Sequence, residues 1–595
     1  MNDTSAESET NPEPSTRSTR RRYVFRLVAV IFPVVGLLFG NWVFYLLEFG
    51  VDTSLVVPLP KSTVSGWHVL NGDVDAAYWD MGDLSGPESR PFVLPQSPDL
   101  FRVVVVGAST VEGFPWPTEL AFSRQIELIL QKQLSKRTVE VLNCGIVGIT
   151  SFQVLDLVRQ SVTAEPDIIV VYSGHNEFYG PGGVSSKASS TLTLLRRYRL
   201  PQLLMRAIAP EPDPTNKLAQ LLMQDRAIPL DGTAFETSTN RYRENLEQIV
   251  AVGTDHNIPI VFCSVACNLS DQSPIQSISA TSVSKSVAEN RDELLSSAAS
   301  LINEDCFSEA LELADRAREL DVGYALAHYR RGQCLAGLGE SDSAAAAFSR
   351  ARDLDGCRFR APSAFARIVR ETARRSESNF VDCESLLNAN SSSGAAGNDL
   401  FFEHVHFTQK ASWIVADAIA RVLVEDVENA LWSESRVPIP DKREEVIGLR
   451  DVDRLMSISL IHDMLSSPPF NAAADVEQQS AVLERQFDKV LARLSDSMRS
   501  AFGQVRDSAN SSNILERMAA ALHYYKHDRE AEKLLRCNVR RRPWDPQRYL
   551  LLAEFLSRTT QTRESREILE LGLSRVCDGW KHQIQTELDA GNIPQ

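Results

Sequence analysis

Apolar residues along this chain fall into three kinds of run. The first is a single uncharged block from Leu27 to Leu47, LVAVIFPVVGLLFGNWVFYLL. At about 1.5 Å rise per residue this block matches a hydrocarbon core of roughly 30 Å, so it predicts a membrane-spanning helix. The second kind is short. Arg102 to Val106, Val139 to Asn143, Asp167 to Tyr172 and Pro259 to Val265 are bounded by turn residues and read as buried parallel strands. Between them, Thr118 to Leu134, Ser151 to Val162 and Thr239 to Val252 carry apolar residues at three- and four-residue intervals, as helices do. Strands that alternate with helices imply a parallel sheet covered on both faces.

The third kind of run is built on small residues. Ala310, Ala314, Ala317, Leu320 and Asp321 are followed 34 positions later by Ala344, Phe348, Ala351, Leu354 and Asp355. The same step relates Ala519, Ala531 and Leu535 to Ala553, Ser565 and Leu569, with Pro543 near the repeat end. Small residues at that spacing let antiparallel helices approach closely, and a 34-residue period resembles that of tetratricopeptide repeats. So few repeats bury little core, which predicts that they lean on a neighbouring domain.

Polar stretches divide these runs. Residues 1–22 read as a disordered, basic tail and 23–48 as the anchor. Arg17, Arg20, Arg21, Arg22 and Arg26 precede the apolar block while Glu48 and Asp52 follow it. The positive-inside rule therefore keeps the N-terminus cytoplasmic and sends the bulk of the chain across the membrane. The run is too long for a cleaved leader and no small-residue cleavage site follows it. Residues 51–100 show no period and predict an irregular lead-in. A first part of an α/β core spans 101–268, a repeat-like helical insertion 290–375, the completion of the core 376–425, and a second helical, repeat-like region 426–595. Asn268 to Ser286 and Asn388 to Asn398 read as linkers, the latter flexible, and the stretch from Phe178 to Phe235 as part of a substrate cover.

Composition changes this picture little. With 43% hydrophobic and 24% charged residues the mixture is globular, and a net charge of −16 argues against nucleic acid as a partner. The nine cysteines are scattered without paired spacing, so neither a zinc site nor a disulfide framework follows.

The candidate chemistry sits where the strands end. The first strand runs into Gly107-Ala108-Ser109, the second into Asn143-Cys144-Gly145-Ile146-Val147-Gly148, and the third into Gly174-His175-Asn176-Glu177. In an open parallel sheet these loops converge at one edge. Ser109 offers a hydroxyl nucleophile or, more blandly, a helix cap. A base is supplied far downstream in Glu403-His404-Val405-His406: His406 as proton acceptor, and Glu403, three residues earlier, as the group fixing its tautomer. A metal pair is the competing reading of the two histidines, and no other His and carboxylate cluster supports it.

In that order the four blocks resemble those of the SGNH, or GDSL-like, hydrolases, over residues 101–180, 255–268 and 399–424. The resemblance implies a three-layer α/β domain with Ser109 as nucleophile and His406 as base. Glu403 would be the orienting carboxylate. Ser109 N–H, Gly148 N–H and the Asn176 amide would form the oxyanion hole, with Gly145 the second candidate for the glycine. The chain departs from the family pattern at Ala108, where an acidic residue is usual, and at Glu177 and Glu403, where Asp is usual. The activity implied is serine-dependent cleavage of ester bonds, as an esterase or deacetylase outside the cytoplasm, without metal or cofactor. The partners implied are the membrane through the N-terminal helix, an acylated substrate with carbohydrate among the candidates, and a protein on the repeats. Transfer of the acyl group to a cell-surface polysaccharide is the first alternative, and a non-catalytic tethered scaffold the second.

Overall fold

The computed structural model describes residues 16–47, 49–79, 86–183, 195–208, 227–559 and 561–589, with the side chains of 16–24, 27, 30, 33, 34 and 206–208 outside that set. Its helices, in chain order, begin with α1 (Thr16–Leu46), α2 (Ser109–Glu112), α3 (Phe122–Gln133), α4 (Ser151–Ser161), α5 (Arg199–Ile208) and α6 (Thr233–His256). Two compact units divide the chain, one holding α1 and α5 and the other the remainder from Thr53 onward.

In the first unit α1 runs 31 residues and α5 packs near its C-terminal end. Residues 16–22, expected to be a disordered tail, belong to α1; residues 1–15 lie outside those described. Among the described residues no helix is long and apolar enough to cross a membrane. Of the predicted span, the side chains of residues 27, 30, 33 and 34 and all of residue 48 are outside that set.

The second unit is organised on a sheet of five parallel strands, β4 (Leu100–Gly107), β5 (Thr138–Gly145), β6 (Ile168–Tyr172), β7 (Ile260–Cys263) and β8 (Asn379–Val381), in the order β5-β4-β6-β7-β8. All eight residues of β4 are buried, because a central parallel strand is covered on both faces. The four predicted strands are present with bounds shifted by at most two residues. The fifth was missed, since three residues, Asn-Phe-Val, are too few to show a period.

Five further helices lie between β7 and the edge strand β8 in a run that leaves the sheet and comes back. They are α7 (Lys285–Asn303), α8 (Phe307–Leu320) and α9 (Ala325–Gly337), followed by α10 (Ser341–Leu354) and α11 (Ser363–Arg375). Helices α8 and α10 are both 14 residues long and begin 34 positions apart, at Phe307 and Ser341. Ala310, Ala314 and Ala317 of α8, and Ala344 and Ala351 of α10, are buried at the contacts between neighbouring helices. The insertion ends earlier than residue 375. Helix α11 packs on α6, β7 and β8, with Phe365 stacked on Tyr242 and Phe178, so it is a crossover helix of the core. Layers form on either side of the sheet from α4, α6 and α11, and from α3 with α12 (Cys383–Ala389) and α13 (Gln409–Val422).

Residues 51–100 correct the expectation of an irregular lead-in. They hold an antiparallel sheet of β1 (Val56–Pro58), β2 (Trp67–Leu70) and β3 (Pro91–Val93). Its strands are three or four residues long and their partners lie up to about 25 residues away, which a local period does not reveal. The buried Arg102 of β4 staples this sheet to the core, donating to Val93 O at 3.0 Å and to Glu140 Oε2 at 2.6 Å.

The linker Asn388 to Asn398 is likewise pinned rather than free. Ala395 and Ala396 are buried, Leu269 N–H donates to Ala396 O at 2.7 Å, and Asn398 N–H donates to Asp271 Oδ2 at 2.7 Å. Serine- and glycine-rich composition marks a turn here, and partners from the other linker fix it.

Beyond residue 426 the chain continues as helices α14 (Pro440–Ile447), α15 (Asp451–Leu465), α16 (Val476–Leu491), α17 (Asp496–Val505), α18 (Ile514–Tyr524), α19 (Asp528–Arg541), α20 (Pro546–Arg558), α21 (Thr562–Arg575) and α22 (Lys581–Asp589). Helices α19 and α21 are again 14 residues long with starts 34 positions apart. A buried ion pair, Arg330 to Asp475 at 2.6 Å, joins this region to the insertion.

Candidate active site

Two parallel neighbours hold the end of β4 in place. Gly107, its last residue, is in register with Gly145 of β5 and Tyr172 of β6, so the loops after all three strands open at one edge. Ser109 begins the short helix α2 directly after that edge. The first N–H groups of a helix have no intrahelical acceptor, which leaves the Ser109 N–H as a free-standing donor type at this turn. Asn143 braces the turn from below: its amide donates to Val111 O at 2.7 Å and Ser123 Oγ at 2.8 Å, and its carbonyl oxygen accepts from Gly145 N–H at 2.8 Å.

The candidate base, His406, comes from 297 residues further along the chain. Ser109 Oγ–H donates to His406 Nε2 at 2.8 Å, and His406 Nδ1–H points at Glu403 Oε1. The tautomer follows from the carboxylate on Nδ1. Glu403 reaches its partner because its extra methylene lets the side chain fold back over its own turn. Oε1 also accepts from His406 N–H at 2.9 Å, and Oε2 accepts from Val405 N–H at 3.3 Å. Those two backbone donors hold a carboxylate that has no solvent exposure.

The loops after β5 and β6 are tied to one another. Asn176 Nδ2 donates to Ile149 O at 3.1 Å, using one of the two hydrogens of its amide and leaving the other for a ligand. Gly148 adopts a left-handed conformation, φ 74°, that turns the β5 loop toward this contact. Gly145 has a packing role instead. A Cβ on it would lie 2.1 Å from Glu112 N, so α2 rests directly on its backbone. Glu177 does not face the serine either; its carboxyl accepts from Ser151 N–H and Ser151 Oγ–H, both at 2.7 Å, fastening the β6 loop to the start of α4.

Burial sets the electrostatics. The exposures of Ser109, His406 and Glu403 are 9%, 6% and 0%, which keeps bulk water off the triad. Burial pulls the His406 imidazole down to about 3, with the Glu112 charge opposing it, so the resting ring is neutral across the physiological range. Burial likewise pulls His175 down to about 3 and His404 well below the ordinary histidine value. It raises the Glu177 carboxyl to about 7 against the two hydrogen bonds from Ser151.

Several contributors were not singled out in the sequence. Phe114 lies edge-on to His406 at 4.7 Å between ring centres, and Trp116 Nε1–H donates to Phe407 O at 2.9 Å, linking the serine side to the histidine side. The signal was the Phe-Pro-Trp-Pro run just after Ser109. Phe470, from the C-terminal helical region, covers the site's rear: its ring stands 4.7 Å from His404 and 5.1 Å from Phe359. Nothing local marks that residue.

His404 Nδ1 rests against Glu403 Oε2 without an aligned hydrogen bond. Among the described residues no group of three or more His, Cys, Asp or Glu side chains is arranged to hold a metal ion. What remains is a hydroxyl, a neutral imidazole and a buried carboxylate in line, with amide donors beside them, the set that acyl transfer requires.

No family model and no curated protein matches the chain. Solved structures similar to it include a lipase/acylhydrolase from Enterococcus faecalis, at 12% identity and TM-score 0.25, covering 54% of this chain and 95% of that one. LAE5, an α/β hydrolase enzyme from the metagenome of Lake Arreo, Spain, aligns at 12% identity and TM-score 0.27, over 54% and 94% of the two chains. A catalytic mutant of Axe2, an acetylxylan esterase from Geobacillus stearothermophilus, aligns at 13% identity and TM-score 0.26, over 54% and 93%. At such similarities the assignment is left to the geometry of the site.

Proposed function

We propose that this chain is an SGNH-type serine hydrolase acting on ester bonds. The observation that carries the reading is the contact relay from Ser109 through His406 to Glu403, made across 297 residues of sequence. Ser109 Oγ attacks the ester carbonyl while His406 Nε2 takes its proton. The imidazolium is stabilised by Glu403 and then returns the proton to the departing alcohol. Ser109 N–H, Gly148 N–H and the free hydrogen of the Asn176 amide steady the oxyanion of the tetrahedral intermediate. Water, activated by the same imidazole, releases the acyl group. A fluorophosphonate probe tests this: wild type labels and Ser109→Ala does not, and equal labelling of the two overturns it.

The helix formed by residues 16–46 anchors the enzyme, with the catalytic unit outside the cytoplasm and the 34-residue helical pairs available to a protein partner. A protease-protection assay on membrane vesicles tests the orientation: burial of the C-terminus on the same side as the N-terminus overturns it.

The burial of the triad favours a second reading, O-acyl transfer to a polysaccharide hydroxyl, because an acyl-enzyme shielded from bulk water survives to meet an acceptor. Product analysis with an added glycan acceptor separates the two, since acylated glycan forms only under transfer.

A further inference from the structure

Among the described residues, helix α5 leaves part of an apolar stripe open beside the proposed anchor. In sequence the stripe is Leu200, Leu203, Leu204, Ala207 and Ile208, the i, i+3, i+4, i+7, i+8 series of an amphipathic helix. Leu200 packs closely at Gly40 of α1, where a Cβ would lie 3.0 Å from its Cδ2. Leu204 is 50% exposed, and Tyr198, just before the helix, is 46% exposed.

The polar side of α5 is spent on the end of α1. Arg199 N–H donates to Asn41 Oδ1 at 2.6 Å. Its guanidinium donates to Phe44 O at 3.4 Å and to Tyr45 O and Phe49 O at 3.5 Å, and stands 4.9 Å from the Tyr45 ring. Gln202 bonds both the N–H and the carbonyl of Val51, at 2.9 and 3.0 Å. The last carbonyls of a helix lack intrahelical partners, and in hydrocarbon each unmet carbonyl costs several kcal/mol, so an arginine brought to them is a fitting device where a helix leaves a bilayer.

The exposed side chains of α1 indicate what covers this pair. Val35, Leu37, Leu38 and Phe39 all stand exposed, and at about 100° per residue those four positions spread around the helix on every side but the one where Gly40 meets Leu200. A partner helix or a second copy would cover one stripe; an apolar medium covers all sides.

We propose that α5 lies in the headgroup region of the bilayer at the exit of α1, with Tyr198 and Leu204 in the acyl-chain boundary, so that the chain meets the membrane through two elements. The inference rests on the reading of α1 as an anchor. An amphipathic helix with its apolar stripe toward the acyl chains suits that position, and the exposed Tyr198 presents an apolar ring with a polar tip there.

The test uses the full chain, reconstituted in vesicles of phosphatidylcholine and phosphatidylglycerol. An environment-sensitive fluorophore is attached at Leu204→Cys or Tyr198→Cys in a Cys306→Ser background, the other cysteines being buried. Val35→Cys serves as the anchor control and the exposed Tyr524→Cys as the solvent control. The expected result is a blue shift at 204 and 198, with loss of emission to lipids brominated high on the acyl chain and little loss to aqueous iodide. Emission at 204 and 198 that matches position 524, with position 35 quenched by lipid, overturns the interfacial helix and leaves the anchor standing. Protection from both quenchers also overturns it, since protein then covers the face. If position 35 escapes lipid quenching too, the anchor reading fails and takes this inference with it.

Discussion

The two halves of the candidate site are assembled by different means. The serine half, Gly107 to Trp116, is delivered by a single strand whose eight residues are all buried and whose register is fixed on both sides by neighbours. The histidine half, Leu400 to Thr408, has no regular strand to carry it. It is held by single contacts: the Phe401–Phe407 bridge, Asn268 N–H on His404 O at 2.9 Å, Trp116 on Phe407 O, and Gln125 Nε2–H on Gln409 Oε1 at 2.8 Å. A parallel sheet aims a nucleophile through local sequence, whereas a base returning after a long insertion must be aimed by long-range bonds. The histidine half is therefore where small changes should act on catalysis while leaving the fold intact.

The largest effect is expected at Glu403→Gln. The amide keeps the shape but presents either a donor or a weaker acceptor to His406 Nδ1, so the ring loses its tautomer control and its charge partner. Esterase turnover should fall about 10³-fold or more, by analogy with loss of the orienting carboxylate in other triads. Fluorophosphonate labelling should slow in parallel while the melting temperature moves little. Unchanged turnover would remove Glu403 from the triad.

Acid should act next, through the buried imidazoles. His175, His404 and His406 resist protonation in the folded state and accept protons freely when unfolded, so the unfolded chain binds more protons below about pH 6.5 and stability falls as pH falls. Each contributes up to roughly 1.4 kcal/mol per pH unit in that window. Asp75 and Glu177, both raised to about 7 by burial, work in the opposite sense between about pH 7 and the ordinary carboxylate range. Urea unfolding should thus show a shallow loss from pH 6.5 to 4.5 and a steeper one from 4.5 to 3. A flat profile down to pH 4 would mean that these rings are not buried as described.

That asymmetry also explains what was legible in the sequence. The Val-Val-Val-Val run before Gly107 gave the central strand and, through it, the location of Ser109; Glu403 and His406 were readable from their spacing of three. Gly148 and Asn176 could be placed on loops after the right strands, since strand order and loop position travel together. The rest depended on distant partners. The lead-in strand Pro91–Val93, which meets Arg102 through Phe92 and Val93, is too short to show a period, as is the strand Asn379–Val381, and Phe470 reaches His404 from the turn between helices α15 and α16. The serine-rich linker Asn388 to Asn398 looked mobile because composition reports backbone freedom and not the two hydrogen bonds that remove it.

A moderate effect is expected where the two halves touch. Trp116→Phe keeps the ring against Phe402, 5.2 Å away in the wild type, but removes the indole N–H from Phe407 O. Leaving that buried carbonyl unmet costs about 2 kcal/mol. If the bond aims the histidine half, kcat should drop several-fold with KM nearly unchanged. A stability loss with kcat intact would mean that it serves packing alone.

The smallest effect, and the most diagnostic for the serine half, is expected at Glu177→Gln. The buried carboxyl, raised to about 7, is largely protonated at pH 5 in the folded protein and ionised in the unfolded one, so its contribution is greatest at low pH and is lost as pH rises through 7. Glutamine cannot ionise and removes that dependence. At pH 5 the variant gives up a good acceptor for Ser151 Oγ–H and should be less stable by about 1 kcal/mol; at pH 8 it no longer buries a charge and should be more stable by a similar amount. The sign of the stability difference therefore reverses between pH 5 and pH 8 in thermal unfolding. Catalysis should be nearly unaffected at either pH, because the carboxyl is fastened to α4 and the β6 strand register, not this side chain, carries Asn176 to the edge of the sheet. A large loss of turnover in this variant would show that the serine half, too, is aimed by single bonds.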